Sequence, residues 1–180
     1  TLNGVGNGTK IENIYVLESA DDAIEFFGGT VNVTNLLAVN PDDDMFDFTQ
    51  GYCGTLKNCY GVWERDYTST EADPRGIEAD GNMDGLYPDH LRQSDFIVEN
   101  MTIVNNAANT TDNVDRMQDV IKVRRGAKAT IKNALVKGTG GTIDLIDMKD
   151  SEGAGDANSS INITNTLSIT GGNKLNGDLN

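Results

Sequence analysis

Three short segments place a carboxylate at the centre of an apolar triplet: Ile24-Glu25-Phe26, Phe46-Asp47-Phe48 and Ile77-Glu78-Ala79. Ile121-Lys122-Val123 and Ile143-Asp144-Leu145 repeat the pattern. Alternation of this kind sends the outer two residues to one face of a strand and the middle one to the other. Stacked, the middle residues Glu25, Asp47, Glu78, Lys122 and Asp144 form an outward column that begins with three like charges. At about 5 Å two carboxylates repel by about 0.8 kcal/mol in bulk water and about 3 kcal/mol at an effective dielectric near 20. A cation or a neighbouring arginine must relieve this. Three residues before the first three middle positions stand Asp22, Asp44 and Arg75, with Asp21, Asp42 and Asp43 alongside. Asp22, Glu25, Asp44 and Asp47 are therefore candidate ligands for Ca²⁺, which takes about six to eight oxygen ligands. The competing explanation is that Arg75 and Lys122 balance the column, or that the carboxylates are hydrated.

The elements that position these residues are read from a repeat. IENIYV, VTNLLAV, LKNCYGV, VENMTIV, IKNALV and ITNTLSI align on Asn13, Asn35, Asn58, Asn100, Asn133 and Asn165, spaced 22, 23, 42, 33 and 32 residues apart. A basic period near 22, lengthened by insertions, is the signature of a solenoid. Each repeat carries two short strands, and no intervening segment has the periodicity of a crossover helix. The expected fold is all-β: a right-handed parallel β-helix of about six rungs, one domain over residues 1–180, with insertions at 64–74, 82–95, 105–117 and 147–159. The aligned asparagines are expected to stack as a ladder in which each side-chain amide satisfies the next. Open strand edges at both ends imply missing caps or axial partners.

Insertions on a rigid scaffold are where binding sites usually lie. Residues 64–74 and 105–117 leave successive rungs at the same connection and are expected to form one lobe beside the acidic column, joined by 82–95. Within it Trp63, Arg65, Tyr67 and Arg116 are the candidate ligand-binding residues, the aromatic rings offering faces on which sugars stack. Tyr52 and Tyr60 are further exposed-aromatic candidates. Phe26, Phe46 and Phe48 alternate with the acids and belong to the core. Cys53 and Cys59 either close a small disulfide loop or remain free thiols. His90 is the only histidine, which rules out a multi-histidine zinc site and a pair of histidine acid–base groups.

The chain has 14 Lys and Arg against 28 Asp and Glu, a net charge of -14. Such a surface repels nucleic-acid phosphates and anionic membranes, so nucleic acid is excluded as a partner. No stretch reaches the roughly 18 apolar residues of a membrane span. Hydrophobic residues make up 37% and glycines number 20, which suits many short strands joined by tight turns.

The run from GVGNGTKIENIYV through SADDAIEFFGGTVN and DDDMFDFTQGY to GIEADGN resembles secreted bacterial right-handed β-helix proteins of the pectin-lyase-like class, over roughly residues 2 to 106. The resemblance implies export and a longer parent chain, and it carries over no catalytic residues. Lyases on this scaffold use Ca²⁺ to acidify a proton beside a uronate carboxylate, with Arg or Lys as base; Arg75, Lys122 and Arg116 are the cations available here. Glycoside hydrolysis would draw on pairs among Asp43, Asp44, Asp47, Glu78 and Asp80. Weak catalytic candidates are thus Arg75, Glu78 and Lys122. The leading expectation is a non-catalytic extracellular or cell-surface module that binds an extracellular polysaccharide or surface protein, with Ca²⁺ on its acidic flank. The alternatives are a Ca²⁺-dependent lyase or glycosidase, and a structural subunit that self-associates end to end.

Overall fold

The computed structural model describes residues 1–82, 86–87, 89–107, 117–138, 142–149, 159–169 and 175–176. These form an all-β structure with no helix among the described residues. The chain alternates between two sheets. The first, in spatial order, holds β1 (Leu2–Asn3), β3 (Glu25–Phe27), β5 (Phe46–Thr49), β7 (Ile77–Ala79), β9 (Met117–Val123), β11 (Thr142–Asp147) and β14 (Leu175–Asn176). The second holds β2 (Lys10–Leu17), β4 (Asn32–Val39), β6 (Thr55–Trp63), β8 (Asp95–Asn105), β10 (Lys128–Lys137) and β12 (Ser160–Thr164), with β13 (Leu167–Ile169) also on β10. Every pairing is parallel.

The asparagines explain the shape of the second sheet. In β4 the inward residues are Val33, Leu36 and Ala38, and in β6 they are Leu56, Cys59 and Gly61. The step of three between the first two breaks strict alternation, and Asn35 and Asn58 occupy the break. All six repeat asparagines have φ between 53 and 59°, a left-handed conformation that costs most L-residues about 1–2 kcal/mol and that Asn tolerates. One such residue shifts the side-chain phase, so both halves of the strand point inward. The ladder forms: Asn35 Nδ2 donates to Asn13 Oδ1 at 2.8 Å, Asn58 to Asn35 at 3.1 Å, Asn100 to Asn58 at 2.9 Å, Asn133 to Asn100 at 3.0 Å and Asn165 to Asn133 at 3.2 Å. It runs along the exposed surface, so its amides satisfy one another at a bend facing solvent rather than in the interior.

Between the sheets lies an apolar core. Phe26, Phe48, Tyr52 and Phe96 stack in it, with centroids 5.4 Å apart for Phe26–Phe48 and 4.0 Å for Phe48–Phe96. Tyr52 is fully buried, its hydroxyl donating to Val31 O at 2.7 Å, and is not a surface aromatic. Trp63 is likewise core, 1% exposed, with Nε1 donating to Pro41 O at 3.0 Å. It continues the inward row Cys59-Gly61-Trp63. Gly61 leaves room there: a Cβ would come within 3.2 Å of Met45 Cγ.

The connections carry the insertions. Residues 64–74 pass from the second sheet to the first, as does the β8–β9 connection, of which 108–116 lie outside the described residues. The connection over 82–95 crosses in the opposite direction, from β7 to β8, and therefore starts at the C-terminal ends of the first sheet's strands, whereas the 64–74 lobe leads into their N-terminal ends. The 64–74 loop is clamped by Asp42, whose carboxylate accepts from Thr70 N (2.7 Å), the Thr70 hydroxyl and the Tyr67 hydroxyl (3.2 Å). The Ser69 hydroxyl adds a bond to Asp42 O.

Candidate metal centre on the first sheet

The outward column of the first sheet reads Glu25, Asp47, Glu78, Lys122 and Asp147 in direct register. Its fifth member is Asp147, and Asp144 pairs with Asp119 instead. The alternation Ile143-Asp144-Leu145 is repeated three residues later by Ile146-Asp147-Met148, and the second copy carries the inward residues, Ile146 and Met148 both being buried. The shift reveals a parallel column three residues upstream: Asp22, Asp44, Arg75, Asp119 and Asp144. Backbone bonds from Ala23 N to Asp44 O, Met45 N to Arg75 O and Gly76 N to Asp119 O hold it in step.

Towards the C-terminal end these columns neutralise themselves. Arg75 commits all three nitrogens, Nη1 to Glu78 Oε1 at 2.7 Å, Nη2 to Asp73 Oδ2 at 3.1 Å and Nε to Asp119 Oδ2 at 3.3 Å. Arg124 Nη2 reaches the same Glu78 oxygen at 2.7 Å and its Nε reaches Asp80 Oδ1 at 3.0 Å, where Arg125 Nη1 joins at 3.3 Å. Lys122 Nζ lies 2.5 Å from Asp147 Oδ2 and 4.0 Å from Asp119 Oδ2. Oxygens of Asp119, Asp144 and Asp147 fall within 4.8 Å of one another. Lys122 supplies the positive charge beside them.

At the N-terminal end no cationic side chain lies within ion-pairing distance of the acids among the described residues, and Arg75 acts on Asp43 and Asp44 only from further away. Carboxylate oxygens of Asp22, Glu25 and Asp47 lie within 4.8 Å of one another, as do those of Asp21, Asp22 and Asp43. None of these five, nor Asp44, makes an ion pair with a cationic side chain among the described residues. Asp43 Oδ1, Asp44 Oδ1 and Asp47 Oδ1 are buried without a hydrogen-bond partner. Asp44 is 2% exposed, and its backbone N donates to Asp22 Oδ1 at 3.0 Å. The Thr1 hydroxyl donates to Glu25 Oε2 at 3.1 Å.

Burial dominates the electrostatics. It pushes Asp22 up to about 8, helped by Asp43, Glu25 and Asp21 and opposed by the Asp44 N–H. It raises Asp43 to about 7, with Asp73, Glu78 and Glu71 adding to the effect. Asp44 and Asp47 are held well above the ordinary carboxylate range by burial and by the charge of Glu78. Burial also raises Glu78, against the pull of Arg75 and Arg124. Buried, mutually repelling carboxylates either take up protons or require a cation.

A cavity of about 390 Å³ opens over this end of the sheet, lined by eight carboxylate side chains together with Phe27, Thr49, Arg124 and Arg125. A second, of about 480 Å³, is lined by Glu18, Asn40, Glu64, Arg65, Asp66 and Tyr67. Of the four residues expected to bind ligand, Arg65 and Tyr67 meet in this second cavity. Trp63 is removed to the core behind them, 5.6 Å from Tyr67 between ring centroids, and Arg116 lies outside the described residues. Of the expected metal ligands, Asp22, Glu25 and Asp47 converge while Asp44 sits beside them, lining the same cavity. Asp21 and Asp43, each one residue before Asp22 and Asp44, complete the cluster from the connections. Cys53 and Cys59 are free thiols, and burial pushes Cys59 up to about 12.

Comparison with curated proteins and with solved structures gives no significant match. A family model described as a pectate-lyase like beta helix domain matches residues 1–176, and the chain belongs to that family.

Proposed function

We propose that this domain is a non-catalytic extracellular or cell-surface module that binds a polysaccharide through a Ca²⁺-loaded acidic flank, with Asp22, Glu25 and Asp47 holding the ion. The observation that carries the reading is Asp47: almost wholly buried, with an unpartnered Oδ1, within 4.8 Å of two further carboxylates and without an ion-pair partner among the described residues. An all-oxygen, acidic donor set suits Ca²⁺. A bound ion would also let a chain of net charge -14 attract an acidic glycan that it otherwise repels. The neighbouring cavity with Tyr67 and Arg65 offers an aromatic face and a cation to flanking sugars. This reading includes a closed, right-handed solenoid of about six rungs as the scaffold.

The test is calorimetric titration of Ca²⁺ into metal-stripped protein, with Asp47→Asn alongside, followed by a polysaccharide panel with and without Ca²⁺. Saturable binding lost in the variant, and glycan retention that requires the ion, are expected. Binding of a surface protein in place of any glycan would redirect the partner assignment, and absence of Ca²⁺ binding would remove the reading.

One observation favours a catalytic alternative. Glu78, held by two arginines through one oxygen, stands in register beside Asp47, on strands about 4.8 Å apart, an arrangement that brings two carboxyl groups near the separation of about 5–5.5 Å used by retaining glycosidases. A lyase base fits less well, because Arg75 and Lys122 are both committed to buried carboxylates. Release of reducing ends from the same panel distinguishes the hydrolase from the binding module.

A further inference from the structure

We propose that the outer face of the second sheet, beyond the asparagine bend, is a platform for a neutral, extended β-linked glycan chain that lies along the axis of the stack and needs no metal ion. Past the bend the outward residues of the first three strands are Tyr15 and Leu17 in β2, Leu37 and Val39 in β4, and Tyr60 and Val62 in β6. Tyr15, Leu37 and Tyr60 stand in direct register. They are 59%, 39% and 42% exposed, with Leu17 at 51%, so the column is open to a partner. None of these six positions is charged, in a chain of net charge -14. Before the bend the same strands place Glu12, Thr34 and Lys57 outward. An uncharged stripe on so acidic a chain suits a partner without charge.

Spacing and chemistry select a sugar polymer. Adjacent strands are about 4.8 Å apart, which puts the two tyrosines about 9.6 Å apart along the axis. The rings of an extended, equatorially linked glycan succeed one another at close to one strand spacing, so alternate rings fall on Tyr15 and Tyr60, with Leu37 under the ring between them. Tyrosine offers an apolar ring face with a polar tip, which matches the axial C–H faces and equatorial hydroxyls of such sugars. The asparagine ladder supplies a polar edge, two residues away along each strand. Asn35 and Asn58 each donate one N–H and accept one bond within it. A side-chain amide has two donors and two lone pairs, and both residues are exposed, so a second donor and a second lone pair on each rung face solvent, in reach of sugar hydroxyls. A standard protein interface takes about 20–30 residues a side, far more than this narrow stripe offers, whereas a linear polymer needs only a row.

The experiment is retention of the full chain, in EDTA, on suspensions of microcrystalline cellulose and of chitin, both neutral and β-linked, with the protein left in solution measured. Retention of the wild type on at least one of them is expected. Tyr15→Ser and Tyr60→Ser should each weaken it by about three- to tenfold, the worth of one ring contact, and Tyr60→Phe should keep it. Thermal unfolding checks that these surface variants fold. No retention of the wild type on either polymer, or retention that both serine variants keep, overturns the platform and leaves the Ca²⁺ reading untouched, since EDTA removes the ion from the comparison. Equal loss in Tyr60→Phe and Tyr60→Ser overturns ring stacking as the cause. A wild-type dimer in sedimentation that the serine variants abolish overturns the glycan assignment and gives the stripe to a second copy of the chain.

Discussion

Replacing Asp47 by Asn should make the metal-free protein more stable and the Ca²⁺-bound protein less so. Asp47 stands in register with Glu25 on one side and Glu78 on the other, one strand spacing of about 4.8 Å from each. At that distance a like-charge pair costs about 0.9 kcal/mol at the dielectric of water and about 3.5 kcal/mol at an effective value of 20. The repulsion removed is that with Glu78, which Arg75 and Arg124 offset in part, and then that with Asp22 and Glu25. Protons retained on the raised carboxyl groups relieve part of it, which puts the expected gain near the lower end, about 1–2 kcal/mol. For a chain of this size that is about 2–8 °C in Tm. With Ca²⁺ at a hundred times its Kd the wild type gains about 2.7 kcal/mol, and the variant, lacking a ligand, gains less. The assay is thermal unfolding by circular dichroism at pH 8.5, in EDTA and then in Ca²⁺. A variant less stable than the wild type in EDTA, or one that keeps the full Ca²⁺ gain, refutes the argument that these acids are uncompensated.

Further expectations follow from the same contacts. Asp22 and Asp43, raised to about 8 and about 7, bind protons in the folded state that the unfolded chain has released. The metal-free Tm should therefore fall as pH rises from about 4 to about 8 and level off above it, a trend that saturating Ca²⁺ should flatten. Asn100→Ala forces a left-handed residue without its side-chain bonds to Asn58 and Asn133 and should cost about 2–4 kcal/mol. Asn100→Gly keeps the backbone freedom and should cost about 1–2 kcal/mol less in urea unfolding. Arg75→Met leaves Glu78 with Arg124 alone and Asp119 with only Lys122 at 4.0 Å and should cost up to about 3 kcal/mol, so any binding lost in that variant must be corrected for its unfolded fraction. Lys122→Glu places four carboxylates together with Asp119, Asp144 and Asp147; it should destabilise the protein in EDTA and add one Ca²⁺ in native mass spectra, and destabilisation without ion uptake would count against the cation argument.

The repeat was legible because its constraints are local. A left-handed residue within a strand selects Asn or Gly, so the six asparagines mark the bend of the second sheet directly, and the Phe–acid alternation of β3 and β5 needs only a period of two. The exposed setting of the ladder was not legible, since a stacked amide looks the same in sequence whether it faces core or solvent. The register of β11 was ambiguous in principle: Thr142–Asp147 with Met148 fits the triplet pattern twice, and only pairing with β9 chooses. Trp63 could have been placed in the core from the inward row Cys59-Gly61-Trp63, but its position at the root of a long insertion suggested a surface role. Asp21 and Asp43 keep the period of 22 but sit outside the strands, where the direction of a side chain is set by how successive connections stack and not by alternation.

The two ends of the first sheet form an internal comparison that bears on why the acids are there. Both place carboxylates on the same two columns, at Asp22, Asp44, Glu25 and Asp47 and again at Asp119, Asp144 and Asp147. Around the second group the protein provides its own cation, Lys122, at the column position that Glu25 occupies in the first. A chain that needed only a stable sheet could neutralise both ends in this way, since a buried carboxylate without a partner is costly. Among the described residues the three buried carboxylate oxygens without a partner all lie at one end, which localises that cost to the cavity-lined face, where an ion arriving from solvent can offset it. Stability and ligand capture are then the same equilibrium: the ion that relieves the repulsion converts an acidic cavity into one that can receive an anion.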